Sequence, residues 1–443
     1  MRDQIELTKR RLTRPVCRLQ TTISSSVGPK EIKEYTCQNP DWLFMKNGRA
    51  YAVSNILYKH IKFDCSFNPI MNTEEEKVEE AKVNFNEEDV SYKLLHDLNV
   101  AKCWVRGEKY VGIFGYPIRD DAKLARLLKK HPNSQKKYNI LALSLHGLSL
   151  ASFVRNFPNS YGYFIKNMKG RFMKGYSVSE GTQTSAFLTL LANTQMKEIP
   201  KHANFTGEYI WESIKTAGYV TLFAKHSTVE LDKVLKFSKY GKTADHYFDF
   251  NTDGLLSDEK ACLESKLFET KRLYKLLTDV YNVYEDVPTF SFFHMNSLTT
   301  DSMQQLKNSD IELLSTLKLL NRNSLRSTIV FIMSDVGDAA ARNHIFLKDK
   351  NYEEIQPFLG IALPKKFRDE HRNFYENFKI NENYLINGFD IYETFRHISQ
   401  IGDSMGKTDI NGRGISLFKA IPSDRTCESE QIKQEWCPCY TVQ

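Results

Sequence analysis

The sequence predicts an α/β protein in which a mostly parallel central sheet is covered by helices on both faces. From about residue 137 onwards, short apolar segments alternate with segments of helical periodicity. Polar residues directly follow several apolar segments, as they do where parallel strands end. The chain has 443 residues, of which 41% are hydrophobic and 26% charged, which suits a folded protein with one large core.

Three regions are predicted along the chain. Residues 1–136 form an N-terminal region with short strands, around 50–57 and 109–115, and an acidic stretch at 73–89 that we expect to be an exposed linker or surface loop. Residues 137–420 form the α/β domain, and residues 421–443 form a Cys-rich tail. The elements predicted in the α/β domain, in chain order, are strand 138–145, helix 149–157, helix 186–192, helix 209–217, strand 219–224, helix 267–284, strand 289–293, helix 311–320 and strand 327–333.

Polar residues at the ends of three predicted strands are candidates for a functional site. His146, His294 and Asp335 follow or end the strands that begin near residues 138, 289 and 327. The carboxyl ends of parallel strands meet at one edge of a sheet, where ligands and metals bind. Thr182 follows a turn of small residues at the start of a helix, which suits a nucleophile or an N-cap.

The order of these segments resembles the domain of unknown function 229 (DUF229) family, a sulfatase-like branch of the alkaline phosphatase superfamily. The resemblance implies a three-layer α/β/α sandwich and hydrolysis of phosphate or sulfate esters by two divalent metals and a hydroxyl nucleophile. The segments that carry it are 138–153, 175–190, 217–224, 244–247, 293–294, 333–335, 388–391, 421–427 and 436–439.

Most of the site residues that the resemblance implies are replaced in this chain. Thr182 stands at the nucleophile position and Asp335 at a metal-binding position, while His146 stands where the first metal-binding Asp is expected. Three positions have lost a metal ligand, and a fourth near Ser297 also lacks a good one. The three lost-ligand positions are Val336, Thr300 and Tyr392. Because two divalent ions need several carboxylate and His donors, the resemblance implies a pseudoenzyme.

Two functional hypotheses follow. The first is a secreted, catalytically degenerate protein without a resident cofactor, which acts by binding a glycan, an anionic ligand or a protein. The second is an active hydrolase with Thr182 as nucleophile and one zinc, calcium, magnesium or manganese ion. That ion would be held by Asp335 and some of His146, Asp245, His246 and Asp301. Convergence of these side chains on one pocket would favour the second hypothesis.

Each candidate also has a structural explanation. Asp335 could end its strand, Thr182 could cap its helix, and His146 could be an ordinary histidine. Asp245 and His246 could be a hydrogen-bonded pair that fixes a turn. Asp338 and His344 could form a shifted site with Asp335, although nothing in their spacing requires it.

The cysteines and one sequon predict the secretory pathway. The chain has 8 Cys without the spacing of a zinc ribbon, and Asn204 begins an N-glycosylation sequon. Residues 1–18 have no apolar signal-peptide core, so we expect a truncated or processed start, and no apolar stretch is long enough to span a membrane. The net charge of +7 is spread along the chain without a stacking motif, which argues against nucleic-acid binding.

Overall fold

A seven-stranded sheet forms the centre of the fold in the computed structural model. The structure describes residues 7, 9–10, 13–19, 42–54, 62–70, 81–85, 90–105, 107–132, 137–199, 208–225, 244–250, 266–295, 303–322, 327–338, 350–401 and 413–440. The strands are β1 Arg18–Leu19, β2 Leu43–Lys46, β3 Arg49–Ala52, β4 Phe63–Pro69, β5 Ala81–Phe85, β6 Ser91–Lys93, β7 Leu98–Val105, β8 Glu108–Gly115, β9 Asn139–Leu145, β10 Arg171–Phe172, β11 Gly175–Tyr176, β12 Val220–Lys225, β13 His246–Asp249, β14 Thr289–Met295, β15 Thr328–Met333, β16 Leu359–Ala362, β17 Leu385–Ile386 and β18 Cys439–Tyr440.

Helices cover both faces of this sheet. The α-helices are α1 Asp121–Lys130, α2 Leu150–Asn156, α3 Pro158–Lys166, α4 Gln183–Ala192, α5 Ile210–Thr216, α6 Lys266–Val283, α7 Met303–Leu320, α8 Lys350–Ile355, α9 Lys365–Glu370, α10 Arg372–Asn381 and α11 Gly388–Gln400. Short 3₁₀ helices lie at Met196–Glu198 and Gln434–Trp436. No helix in the described part of the chain is long and apolar enough to cross a membrane.

The central sheet has the order β10-β16-β15-β9-β14-β12-β13. Its pairs from β15 to β13 are parallel, and β16 and β10 extend it by antiparallel pairing. Alternate residues of β9 point to opposite faces: Ile140 packs into one hydrophobic cluster and Leu141 into the other. Two cores separated by one sheet make a three-layer α/β/α sandwich, so the predicted fold class is confirmed.

The element boundaries in the α/β domain follow from local sequence signals. The Ser149 hydroxyl caps α2 by accepting a hydrogen bond from Ser152 N, as its position predicts. Gly218 follows α5 with φ of +87°, a left-handed conformation that suits glycine. Strand β15 is buried at every position because both of its faces lie under helices.

The N-terminal region forms two antiparallel sheets, β2-β3-β6 and β5-β4-β7-β8. Strand β5 lies inside the acidic stretch that we expected to be a linker or loop. Its residues Val83 and Phe85 pair with β4, and Phe85 is fully buried. The expectation is therefore wrong for residues 81–85, because apolar residues at every second position favour a strand despite the surrounding acidic residues.

Disulfides cross-link the N-terminal region and the C-terminal tail, which confirms the prediction that the cysteines form disulfides. Cys65 and Cys103 bridge neighbouring strands β4 and β7. Cys17 bonds to Cys439, and Cys427 bonds to Cys437, so the first and last strands are tied together. Cys37 and Cys262 lie outside the described residues. The two tail cysteines on either side of Pro438 each bond to a different cysteine and not to one another.

Candidate functional site

Three polar side chains meet at the carboxyl-terminal edge of the central sheet. The neighbouring order β15-β9-β14 brings Asp335, His146 and His294 together, as the strand ends predict. The backbone N–H of His146 donates to Met295 O at 3.0 Å, which fixes the turn after β9 against β14. One ligand atom from each of the three side chains lies within 4.8 Å of the others. This histidine and aspartate cluster is the candidate site.

Asp335 and His146 form a buried ion pair within the cluster. The distance from His146 Nδ1 to Asp335 Oδ2 is 2.9 Å, and the aspartate side chain is only 1% exposed. Backbone N–H groups of Gly147 and Val336 also donate to Asp335 Oδ1, at 3.3 and 3.0 Å. These donors replace the water that the carboxylate loses on burial.

The ion pair shifts both pKa values in the direction that favours charge. Burial alone would raise the pKa of Asp335, but attraction to His146 and their hydrogen bond hold it well below its ordinary value. Burial alone would lower the pKa of His146, yet attraction to Asp335 and the same hydrogen bond raise it. Both shifts stabilise the charged forms of the two side chains.

Gln183, the first residue of α4, places its amide nitrogen between the three side chains. Its Nε2 lies 3.1 Å from His146 Nδ1, 2.9 Å from His294 Nε2 and 3.0 Å from Asp335 Oδ2. An amide nitrogen carries two hydrogens. When His146 Nδ1 donates to Asp335, the two Gln183 hydrogens go to Asp335 and His294, and the Gln183 contact with His146 Nδ1 is not a hydrogen bond. His294 Nδ1 then donates to Ser144 Oγ at 3.1 Å.

The donor set can be compared with the needs of a metal. Two imidazole nitrogens and one carboxylate are suitable ligands for one divalent ion. Two ions would bring four positive charges, and Asp335 is the only carboxylate in the cluster of described residues. The cluster therefore fits one ion at most, and Gln183 already donates to lone pairs that such an ion would need.

Thr182 precedes the glutamine and caps α4. Its hydroxyl accepts a hydrogen bond from Ser185 N at 3.2 Å, and the residue is exposed. A hydroxyl oxygen has two acceptor lone pairs, so this bond leaves one of them for a nucleophile at the start of the helix. The structural explanation by capping thus accounts for the observed contact.

The Cys-rich tail lies against the turn that leads into Thr182. Ser177 donates its hydroxyl hydrogen to Trp436 O at 3.0 Å, and Lys433 N donates to Ser179 O at 3.2 Å. A Cβ on Gly181 would lie 2.3 Å from the Trp436 ring. The tail and its disulfide therefore hold the turn in place from outside the α/β domain.

Replacing Gly181 by Ala tests this contact. Gly181 has φ of +61°, so the new Cβ adds backbone strain as well as a collision with Trp436. We expect unfolding in urea to show a loss of roughly 2–4 kcal/mol. Gly107→Ala is the matched control, because Gly107 has φ of +85° with nothing within 4 Å of its Cβ position. Equal losses in the two variants would show that the Trp436 contact contributes nothing.

Asp245 and His246 do not join the cluster, because they lie at the opposite, amino-terminal edge of the sheet. His246 begins β13 and pairs in register with Leu222 near the start of β12. Its Nδ1 lies 2.8 Å from Asp97 Oδ2, and its Nε2 lies 2.6 Å from the Tyr284 hydroxyl. With neighbouring side chains it lines a separate cavity of about 330 Å³.

Asp245 is occupied by structural and ionic contacts at this edge. Its Oδ2 accepts from Thr221 N at 2.8 Å, and its Oδ1 pairs with Lys123 and Lys215. Burial alone would raise the pKa of Asp245, but the hydrogen bond from Lys123 and attraction to Lys215 lower it. The hydrogen bonds of Asp245 in the described residues go to Thr221 and Lys123 and not to His246, so a hydrogen-bonded Asp-His pair that fixes a turn stays a prediction.

The remaining predicted positions are spread over the fold or lie outside the described residues. Val336 directly follows Asp335 and is half-buried, while Tyr392 is buried in α11 among the apolar side chains of one core. Burial raises the pKa of Tyr392 to about 12. Asp338 is buried near α8, where its N–H donates to Glu353 O. The positions outside the described residues are Asn204, Ser297, Thr300, Asp301 and His344.

Sequence reasoning missed Gln183 and Trp436. The only signal for Gln183 was its position next to Thr182, and a glutamine there is equally consistent with a surface residue. Trp436 lies 255 positions beyond Gly181 in the sequence, so only the folded chain reveals their contact.

Comparison with known sequences identifies one family for this chain. The sequence profile of a family described as "Protein of unknown function (DUF229)" matches residues 30–443. No curated protein matches the sequence.

Solved structures similar to the chain include three with low sequence identity. The C-terminal periplasmic domain of EcEptC from Escherichia coli has a TM-score of 0.44 and 10% identity, over 59% of this chain and 82% of that one. The lipoteichoic acid synthase LtaP from Listeria monocytogenes has a TM-score of 0.43 and 8% identity, over 68% and 80%. A protein in the alkaline phosphatase superfamily from Vibrio parahaemolyticus has a TM-score of 0.40 and 15% identity, over 64% and 76%.

Proposed function

The chain belongs to the DUF229 family of proteins of unknown function, and from that premise we propose that it is a catalytically degenerate protein that acts by binding. The observation that carries this proposal is the position of the Gln183 amide. A neutral donor lies about 3 Å from each of the three side chains that could hold a metal. The cluster is thus satisfied by its own hydrogen bonds without a cation.

Charge balance supports the same proposal. Hydrolysis by two metals uses divalent cations to stabilise both the attacking and the leaving oxygen of an ester. The candidate site offers one carboxylate, and that carboxylate is already paired with His146. A metal would have to displace both the imidazolium proton and the Gln183 hydrogen bonds before it could bind Asp335.

Replacing Gln183 by Ala tests whether the amide closes the site. We expect the wild-type protein to retain no stoichiometric zinc after dialysis and to hydrolyse neither p-nitrophenyl phosphate nor p-nitrophenyl sulfate. Gln183→Ala frees lone pairs on Asp335 and His294 and should bind zinc about tenfold or more tightly than the wild type, measured by isothermal titration calorimetry.

The double variant Gln183→Ala/His294→Ala is the control, and it should lose the gained zinc affinity because one of the imidazole donors is gone.

The competing hypothesis is an active hydrolase with one divalent ion and Thr182 as nucleophile. It predicts one bound ion in the wild type and turnover that Thr182→Ala abolishes. One bound ion in the wild type, or turnover by the wild type, would overturn the proposal of a degenerate site.

We also propose that the protein works in the secretory pathway or outside the cell. The disulfides between Cys17 and Cys439, Cys65 and Cys103, and Cys427 and Cys437 support this, because such bonds persist in oxidising compartments.

As binding partner we propose a glycan, another anionic ligand or a protein, since a resemblance to ester hydrolases implies recognition of an anionic group on a larger molecule. A shift in gel mobility on treatment with a glycosidase would test modification at Asn204.

A further inference from the structure

Strand β2 presents an open edge in the N-terminal region. Among the described strands it pairs with β3 alone, and it is the terminal strand of the order β2-β3-β6. Leu43 lies opposite Ala52, so Trp42 lies opposite Val53. Val53 N donates to Trp42 O, which makes these two residues a hydrogen-bonded pair of the ladder. Bonded and non-bonded pairs alternate along an antiparallel ladder. The backbone groups of Leu43 and Met45 therefore point away from β3, and no described strand pairs with them.

Strand β8 presents a second open edge. It is the terminal strand of the order β5-β4-β7-β8, and Tyr116 N donates to Asp97 O just beyond its end. Because bonded and non-bonded pairs alternate, Phe114 and Asn99 form a hydrogen-bonded pair. The backbone N–H and C=O groups of Ile113 and Gly115 therefore point away from β7. Within the described ranges, no strand covers this edge either.

The two open edges line one groove of about 460 Å³. We call it the β2–β8 groove. Its wall is apolar, and Phe44 at its rim is 45% exposed although it is a large aromatic residue. The residues that line it are Leu43, Phe44, Met45, Val53, Ile113, Phe114, Gly115, Phe250, Arg272 and Lys275.

Two cations of helix α6 also line the groove. Lys275 is paired with Asp279 one turn further along, at 2.8 Å. Arg272 is half-buried, and no carboxylate of the described residues forms an ion pair with it. A guanidinium on an apolar wall favours a ligand that brings its own carboxylate, because Arg binds carboxylates through two parallel hydrogen bonds.

We propose that the β2–β8 groove binds an extended segment of a partner protein, which adds a strand to the edge of β2 and places an acidic side chain against Arg272. Backbone groups of Leu43 and Met45 supply hydrogen bonds to the added strand. Apolar side chains of the segment pack on Phe44, Ile113 and Phe250. The inference goes beyond the proposed function, because this groove is a surface separate from the histidine and aspartate cluster and does not depend on it.

An extended peptide explains more of the groove than other ligands would. A fatty acid would use the apolar wall and the guanidinium, but it has no series of N–H and C=O groups for the backbone of the strand edge. A free anion would use Arg272 alone. A strand with alternating apolar and acidic residues uses all three features, because its side chains alternate between faces while its backbone bonds to the edge.

The experiment selects peptides from a phage-displayed library of random 12-mers on the full-length protein. We expect enriched sequences that alternate apolar residues and contain Asp or Glu. A synthetic peptide of the best sequence should bind the wild type, and Arg272→Glu should weaken binding about tenfold or more, since hydrogen bonds between charged groups are the strong ones. Changing the acidic residue of the peptide to its amide should weaken binding to the wild type but not to Arg272→Glu.

The backbone contribution is tested with a matched pair of variants. Met45→Pro removes an outward N–H from an edge strand, where Pro is tolerated, whereas Met45→Ala removes the side chain and keeps that N–H. We expect Met45→Pro to abolish binding and Met45→Ala to retain most of it. The proposal is overturned if no sequence is enriched, if enriched peptides lack an acid, or if they bind Arg272→Glu and Met45→Pro as well as the wild type.

Discussion

Replacing Asp390 by Ala should lower the free energy of unfolding by about 3–5 kcal/mol, the range for breaking a buried ion pair. Asp390 is fully buried near the start of α11. It accepts hydrogen bonds from Arg425 Nη1 at 2.8 Å and Nη2 at 3.0 Å, and from Ile415 N at 2.7 Å. The carboxylate thus joins α11 to the segment that leads into the Cys-rich tail.

The loss is large because the remaining groups stay buried without their acceptor. Arg425 keeps a contact between Nε and Glu430 at 3.1 Å, but Nη2 loses its bond to the carboxylate. Urea unfolding monitored by circular dichroism gives the free energy. A double variant, Asp390→Leu with Arg425→Met, should recover part of the loss, because it removes both charges together.

Asp369→Ala is the control for a surface ion pair. Asp369 pairs with Lys365 on the same helix, with both side chains more than half exposed. We expect no measurable change in its urea midpoint, because exposed pairs contribute little. Similar losses for Asp390→Ala and Asp369→Ala would show that burial of the Asp390 pair does not matter.

Replacing Asp335 by Asn should cost about 3 kcal/mol between roughly pH 4 and pH 6.5 and less outside that range. The pKa of Asp335 is lowered by folding, so its contribution is present above the unfolded value and is lost as pH falls through the folded one. The pKa of His146 is raised, so its contribution is present below its unfolded value and is lost as pH rises through the folded one.

Urea unfolding from pH 3 to pH 9 measures the difference between the wild type and Asp335→Asn. An amide at position 335 cannot accept from Gly147, Val336, His146 and Gln183 without turning its own N–H groups toward one of these donors. Asp424→Asn, which changes an exposed carboxylate, should follow the wild-type curve. A constant difference at every pH would refute the ionised pair.

Much of the α/β domain could be predicted because its signals are local. Strand β15 was expected at 327–333 and is found at Thr328–Met333, because a buried parallel strand must be apolar on both faces. Helix α7 begins at Met303, eight residues before its expected start, since polar residues in its first turns do not show the apolar spacing. Strand β5 was missed because its alternation of apolar and polar residues is only five residues long, and the acidic residues around it are typical of an exposed loop.

The candidate site was predictable in part, for a reason of topology. Parallel strands that are neighbours in a sheet end at one edge, so His146, His294 and Asp335 could be expected together from their positions alone. The same rule cannot tell at which end of a strand an isolated pair lies. Asp245 directly precedes β13 and His246 is its first residue, and the structure therefore places both at the opposite edge.

The sequence by itself determined the fold class, the family and the strand ends that carry polar residues, because apolar periodicity and short motifs are properties of neighbouring residues. Only the tertiary structure decided what those polar residues do. The amide of Gln183 reaches Asp335 from a position 152 residues away, and Arg272 lies beside a strand edge formed more than 200 residues earlier. Hydrogen bonds and ion pairs depend on distances of a few ångströms in space, and spacing along the chain does not encode them.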